Sequence, residues 1–402
     1  DDSKGGMLRE ALYPRLRYHL QFQNETSLFA DIDHHVKFSV NIFGKAFDRI
    51  SFNTIANLFA VSSVDTCFEE TSSRTVGGIK DEGNKWNITG HPDRLVKVTT
   101  DELALFATLY DTIGTQADAA RLPAIHSVQL VDVLRKFASY PRKLGDLEDE
   151  YLSLEMWHET NSQKDHTIRR ETRFPAGKEE LILSGPHFYV GNPCYKTPKE
   201  VCEKNSDYSV LDLTSLPDDY LPRTNYVLDC NEAEYRRRTP SVPWDPDKKV
   251  TEYYRCAFRR QLSQSGERTL QGALQGKELG HVHPVISFTF QDPSYAVLWI
   301  TTSSSVVFDF YIKTTGRGDF YESVARQLPF LSSNRSLAIR GIGLNCLTKH
   351  FSDFWRTRFD KNFKEESWTK EDPRLDTTFF ANLSPEWNRN CALRTDYTRR
   401  QA

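Results

Sequence analysis

Val36-Lys37-Phe38-Ser39-Val40-Asn41-Ile42-Phe43 alternates apolar and polar residues and stops at Gly44. A period of two sends successive side chains to opposite faces of an extended chain, so the run predicts a β-strand with one covered face. Ile50-Ser51-Phe52-Asn53-Thr54-Ile55-Ala56-Asn57-Leu58-Phe59 repeats the pattern. Two strands this close in sequence predict an antiparallel pair at a sheet edge. Downstream, residues 70–94 are rich in Gly, Ser, Thr and Asn and predict an exposed loop. Helix-start signals follow at Thr100-Asp101 and at Ser127, the second helix ending before Pro141. The early chain therefore reads as α/β, with a helical pair positioned to connect two domains.

From about residue 150 the character changes to irregular, Pro- and Tyr-rich segments. Arg255 to Gln275 is polar and predicts a helix. Val285-Ile286-Ser287-Phe288-Thr289-Phe290 and Val306-Val307-Phe308-Asp309-Phe310-Tyr311-Ile312 predict strands. Gly316-Arg317-Gly318 leads into a predicted helix at 319–328, and Leu337 to Phe359 predicts a longer amphipathic one. The fold class that results is α/β at the start and α+β overall. Three bodies are expected: 1–95, a helical connector at 96–149, and a mixed α+β domain at 150–402.

The 402 residues suffice for two or three cores. Apolar content of 38% and charged content of 27% predict a globular, cytoplasmic protein with no membrane partner. The chain opens on Asp1-Asp2-Ser3-Lys4 without Met or an apolar leader, which is expected of a piece of a longer protein. The seven cysteines form no Cys-x-x-Cys pair, so neither a zinc site nor a disulfide framework is expected. With 52 basic and 55 acidic residues the net charge is −3, so any nucleic-acid contact must come from local clusters.

Several of those clusters fall in loops shaped by Gly and Pro. Residues 184–228 interleave Gly and Pro with Tyr, Lys and Arg, a composition that predicts rigid, shaped loops of the kind that carry recognition. The candidate DNA-binding residues are Arg169, Arg170, Lys196, Lys199, Arg223, Asn225, Arg236, Arg237, Arg238 and Arg317, with Arg259-Arg260 and Arg399-Arg400 beside them. Arg forks onto guanine and Asn onto adenine in the major groove, while most Arg and Lys contacts go to phosphate. Glu155-Met156-Trp157-His158-Glu159-Thr160-Asn161 lacks the His-Glu-x-x-His spacing of a metal site. Asp212, Asp218 and Asp219 read as turn and capping residues.

Several segments together resemble the C-terminal part of large adenine-specific DNA methyltransferases of bacterial restriction–modification and phage-defence systems. They are Tyr18-His19-Leu20-Gln21-Phe22-Gln23-Asn24-Glu25, His34-His35-Val36-Lys37-Phe38-Ser39-Val40-Asn41-Ile42-Phe43-Gly44, Glu155 to Asn161, the 184–226 run, Lys313-Thr314-Thr315-Gly316-Arg317-Gly318-Asp319-Phe320, and Asn390-Cys391-Ala392-Leu393-Arg394-Thr395-Asp396-Tyr397. The resemblance implies edge strands of a doubly wound catalytic sheet at 1–95 and a target recognition domain at 150–402. It implies S-adenosylmethionine as cofactor of the parent enzyme, with none bound by this chain alone. It implies double-stranded DNA, an upstream catalytic domain and defence-system subunits as partners. Asn192-Pro193-Cys194-Tyr195 is one residue away from Asn-Pro-Pro-Tyr, the signature of enzymes that methylate an exocyclic amine in DNA. No Gly-rich cofactor turn precedes it, so it reads as a structural loop and no catalytic residue is assigned. Phe38 is the base-pocket candidate, with a core role as its alternative. A non-catalytic module that holds DNA or a protein in a defence complex is the competing function.

Overall fold

The computed structural model describes residues 4–34, 36–71, 75–112, 114–194, 196–263 and 266–402. The chain divides into two compact units, Asp1–Pro141 with Thr314–Gly316, and Arg142–Lys313 with Arg317–Ala402. Each mixes helices with small sheets, a mixed α+β architecture.

The first unit is built on a four-stranded sheet of order β2-β1-β3-β4: β1 (Leu16–Gln23), β2 (Lys37–Phe43), β3 (Ser51–Leu58) and β4 (Val96–Thr99). The two alternating runs are strands, but they are not neighbours. β1 lies between them, antiparallel to β2 and parallel to β3. The cause is in β1 itself, which alternates as strictly as either partner and needs cover on both sides for Leu20 and Phe22. These two pack with Phe38, Ile55, Leu58 and Cys67 in one apolar cluster. The intervening residues, His19 and Gln21, face the opposite way with Ser39 and Asn41, their cross-strand partners.

A short helix α1 (Gly6–Leu12) precedes the sheet, and a single turn α2 (Ser62–Asp65) follows β3. The described residues of the 70–94 loop are mostly exposed. At its end, however, Arg94 is buried and donates to the carbonyls of Ala56, Asn57 and Thr89 at 3.0 Å each. β4 runs straight into α3 (Thr100–Tyr110), with Thr99 as the N-cap of a capping box completed by Glu102. α4 (Val128–Ser139) starts after Ser127, whose side chain makes no capping bond. α3 and α4 pack on each other inside this unit, where the sequence predicted a separate connector over 96–149.

The second unit is organised by an antiparallel sheet of order β14-β13-β16-β5 and by pairs β10-β6, β11-β12, β15-β7 and β8-β9. The strands are β5 (Tyr151–Leu154), β6 (Ile168–Arg173), β7 (Ile182–Leu183), β8 (Lys196–Pro198), β9 (Tyr208–Val210), β10 (Thr224–Leu228), β11 (Ser241–Val242) and β12 (Asp245–Lys249). β13 (Arg255–Arg259), β14 (Gly272–Gln275), β15 (Gly280–His281) and β16 (Val285–Phe290) complete the set. The predicted helix over Arg255–Gln275 is thus corrected to two strands. Its polar character belongs to the connection, while Cys256, Ala257 and Phe258 are fully buried. Gly272 allows this pairing, because a Cβ there would meet the Phe258 ring at 2.3 Å.

The helices here are α5 (Glu159–Lys164), α6 (Glu232–Arg238), α7 (Pro293–Ser303), α8 (Val306–Thr314), α9 (Glu322–Ala325), α10 (Arg335–Asn345), α11 (Ser352–Arg358) and α12 (Asp396–Gln401). Residues 306–312 are therefore helical where a strand was predicted. Phe308, Tyr311 and Ile312 are buried at helical spacing, while Val306 and Val307 are 66% and 49% exposed. The long helix over 337–359 is broken into α10 and α11. Asn345 accepts from Leu274 N (2.8 Å) through Oδ1, which ties the end of α10 to β14 and turns the chain. The helix at 319–328 is shortened to α9. Among the described residues no single helix is long and apolar enough to cross a membrane.

Candidate nucleic-acid interface

The 184–228 run is held as a rigid surface from below. His187 is fully buried. Ser184 N donates to its Nδ1 (3.0 Å), and Nε2 donates to Arg223 O (3.0 Å). Burial lowers this imidazole to about 4, so it is neutral near pH 7. Gly191, in the left-handed region at φ 57°, donates to Gly272 O at 2.8 Å.

Three arginines from the C-terminal segment clamp the run by its carbonyls. Arg399 donates to Leu344 O (2.9 Å), Leu393 O (2.7 Å) and Gly191 O. Arg394 donates to Leu213 O and Leu216 O, both at 3.0 Å, and Arg389 to Leu216 O at 2.7 Å. Sequence reading placed Arg399 in a surface cluster and passed over the other two. Their spacing of five residues was the available signal.

Asn192-Pro193-Cys194 forms a turn within this run. Asn192 is buried and its Oδ1 accepts from Cys194 N at 3.0 Å, so the amide oxygen is used by its own loop. Burial pushes the Cys194 thiol up to about 12, which keeps it protonated. Tyr195 and His35 lie outside the described residues.

Four of the candidate cations converge on the β8–β9 hairpin. Arg223 N donates to Thr197 Oγ1 (2.9 Å), its Nη1 reaches Pro198 O (3.4 Å), and its guanidinium sits 4.4 Å from the centre of the Phe174 ring. Lys196 opens β8, and exposed Lys199 follows it, donating its backbone N–H to Asp207 O at 2.8 Å. Arg170 donates to the carbonyls of Cys202 (2.9 Å) and Glu203 (2.6 Å). A guanidinium bound to carbonyls keeps its full charge for a ligand; one paired with a carboxylate is neutralised.

The remaining candidates are placed differently. Arg169 pairs with Glu171 and, at 3.5 Å, with Asp229. Arg236 pairs with Glu252 at 2.8 Å. Arg237 and Arg238 share Glu234 at 2.7 and 2.6 Å, and their hydrogen bonds hold its carboxyl down to about 2. Arg238 also donates to Thr167 Oγ1 at 2.6 Å. With Asp165 3.4 Å from Arg238 as a third carboxylate, the cluster at 236–238 is a neutralised last turn of α6. Asn225 is buried, with its Oδ1 accepting from Thr172 Oγ1 at 2.6 Å, so reading of adenine by this amide is corrected to a strand-pairing role. Arg317 is half-buried, just before Gly318 and Phe320 pair with Leu262 and Arg260.

The acidic residues serve turns and pairs. Asp212 Oδ1 accepts from Thr214 N at 2.9 Å, Asp218 pairs with Arg389 at 3.0 Å, and Asp219 with Lys349 at 3.3 Å. Glu155 pairs with Arg260 at 3.0 Å and lies 3.4 Å from His283. No group of three or more metal-ligating side chains is assembled among the described residues.

In the first unit the Phe38 ring stacks on Phe22 (5.4 Å between centres) and meets the edge of Phe29 (4.8 Å). It packs against the apolar cluster and also borders a cleft on this sheet. The opposite face of β1 and β2 opens into a cleft of about 490 Å³, bordered by His19, Gln21, Lys37, Ser39 and Asn41. Burial lowers the His19 imidazole to about 4, and its Nδ1 is 3.0 Å from Thr54 Oγ1.

No model of a known protein family matches this sequence, and no curated protein matches it.

Proposed function

We propose that this chain is the DNA-reading part of a site-specific adenine DNA methyltransferase of a restriction–modification or phage-defence system. On this reading the first unit contributes strands at the edge of a doubly wound catalytic sheet. The second is the target recognition domain. S-adenosylmethionine and the transferred methyl group belong to a separate catalytic body, an upstream domain of the parent protein, and this chain alone transfers nothing.

One observation carries the reading: Arg170 and Arg223 meet at one hairpin, beside Lys196 and Lys199, and rest on carbonyls where the α6 arginines rest on Glu234. The hairpin belongs to a loop region made stiff by Arg389, Arg394 and Arg399, which lowers the ordering cost of binding. The parallel β1–β3 pair is compatible with a larger α/β sheet, since parallel strands occur mainly in sheets covered on both faces.

The test is duplex binding followed by fluorescence anisotropy across a salt series. Removing one phosphate-binding charge should reduce the salt slope by about 0.9. Lys199→Gln and Arg223→Gln should each weaken binding and flatten that slope, whereas Arg237→Gln should leave both within error. Equal effects from all three would remove the hairpin from the interface. A labelled-cofactor assay should give no transfer to DNA.

The second reading is a non-catalytic module of a defence complex that binds a protein subunit. The neutralised arginines and the net charge of −3 favour it. Salt-insensitive binding to a protein, with no binding to duplex DNA, would select it.

A further inference from the structure

Phe174 is the one exposed phenylalanine of the second unit among the described residues, at 53%. A lone exposed apolar side chain is ordinary, but this one is fixed in place. It follows β6 and precedes Pro175, and a residue before proline is confined to extended conformations. Glu180 ties down the loop that carries it, accepting from Ala176 N and from Arg173 Nη1 at 2.8 Å each.

The antiparallel register of β10 on β6 sets Thr224 against Arg173, and so places Arg223 across from Phe174. The Arg223 guanidinium lies over the ring, 4.4 Å from its centre. The backbone of Arg223 is held on both sides: its N–H donates to Thr197 Oγ1 at 2.9 Å, and its carbonyl accepts from His187 Nε2 at 3.0 Å. The described partners of its side chain are the Pro198 carbonyl and the ring, with no carboxylate between them. Cation and ring therefore form one preformed unit, ordered on folding rather than on binding.

We propose that Phe174 is a specificity-determining residue that reads a thymine in duplex DNA by its 5-methyl group, while Arg223 holds the adjoining phosphate. This rests on the DNA-reading function proposed above and names a base that the hairpin selects. In the major groove thymine alone among the four bases offers an apolar group. Cytosine and adenine present amines there, and an amine set against a phenyl ring loses its water without a new hydrogen bond. Intercalation is a poor alternative, because the guanidinium covers one ring face and a side chain wedged between base pairs uses both. The ring is left to the groove, where the methyl group stands. The division of labour is the usual one, in which the phosphate contact positions and the base contact specifies.

The experiment uses the 402-residue chain and a duplex that it selects from a random pool. Each thymine of that duplex is replaced in turn by uracil, which deletes the methyl group and keeps the base pair. By fluorescence anisotropy, uracil at one position should weaken binding about fourfold, the share of one apolar methyl group. Phe174→Ser should bind the thymine and uracil duplexes equally at that position. Its melting temperature should match that of the unsubstituted chain, since the ring lies outside the core. Lys199→Gln should weaken both duplexes and keep the fourfold ratio. The inference is overturned if no uracil position weakens binding, or if Phe174→Ser weakens both duplexes alike and leaves the ratio intact, which would make the ring a support for Arg223 alone. In either case salt-dependent duplex binding still upholds the DNA-reading function. Absence of binding to any duplex removes both.

Discussion

Several arginines and histidines of the second unit hold backbone carbonyls, Arg399, Arg255 and His187 among them. Arg399 satisfies three backbone oxygens at once, from Gly191, Leu344 and Leu393. Arg399→Met should cost about 3 kcal/mol or more, because hydrogen bonds from a charged donor contribute about 1.5–3 kcal/mol each and the orphaned oxygens stay buried. Urea unfolding measures this, and a loss below about 1 kcal/mol would mean that the loops reorganise around the gap. The histidines give a pH dependence. His187 and His281 are fully buried, with imidazoles lowered to about 4 and about 3. The unfolded chain binds their protons as pH falls through about 6.5 while the folded chain does not. The stability they confer is therefore complete above about pH 6.5 and falls toward pH 4, by about 1.4 kcal/mol per pH unit for each histidine. His187→Gln should remove one histidine's share of that slope in unfolding experiments at pH 7, 6 and 5. An unchanged slope would show that His187 titrates normally in the folded chain.

At the level of elements, the informative departures are those where periodicity spans too short a window to separate helix from strand. Residues 306–312 hold Val, Phe, Tyr and Ile, the composition of a strand, yet their buried set is 308, 309, 311 and 312. That is a helical phase, and Asp309 fixes it by accepting from Thr269 N and Leu270 N at 2.7 Å each. The phase is testable. Val306→Lys and Val307→Lys should change stability by no more than about 0.5 kcal/mol, whereas Ile312→Lys, with its side chain fully enclosed, should cost over about 3 kcal/mol or prevent folding. A strand at the same place would group Val306 with Ile312 instead. The opposite error, helix for β13 and β14, arises because short buried strands carry little alternation, and here Arg255 supplies a polar residue to a core position. β2 and β3 were legible because their sequences alternate, although β2 is largely exposed on both faces and β3 largely buried on both. Their separation by β1 was not, since pairing order is not a property of any one strand.

For the whole molecule, each unit has its own apolar clusters. The cluster around Leu20 and Phe22 draws only on the first unit. Those around Ile182, Val285 and Leu347 draw only on the second. A chain with its own core can fold alone. Residues 142–402 expressed by themselves should therefore unfold in a single cooperative urea transition and retain salt-dependent duplex binding. A non-cooperative transition would show that this unit requires residues from the other.

The sequence by itself determined the mixture of helix and strand, the starts of α3 and α4, and the density of Gly, Pro and Tyr turns between 184 and 228, because caps, alternation and turn residues act over a few positions. Only the tertiary structure decided which guanidinium charges are compensated. Arg170 and Arg223 rest on carbonyls, whereas Arg169, Arg236, Arg237 and Arg238 are paired with carboxylates of Glu171, Asp229, Glu252, Glu234 and Asp165. The same holds for the cleft in the first unit, which exists because β1 enters between β2 and β3 and brings His19 and Gln21 beside Ser39 and Asn41. Charge compensation and strand order are relations between distant residues, and a linear pattern carries neither.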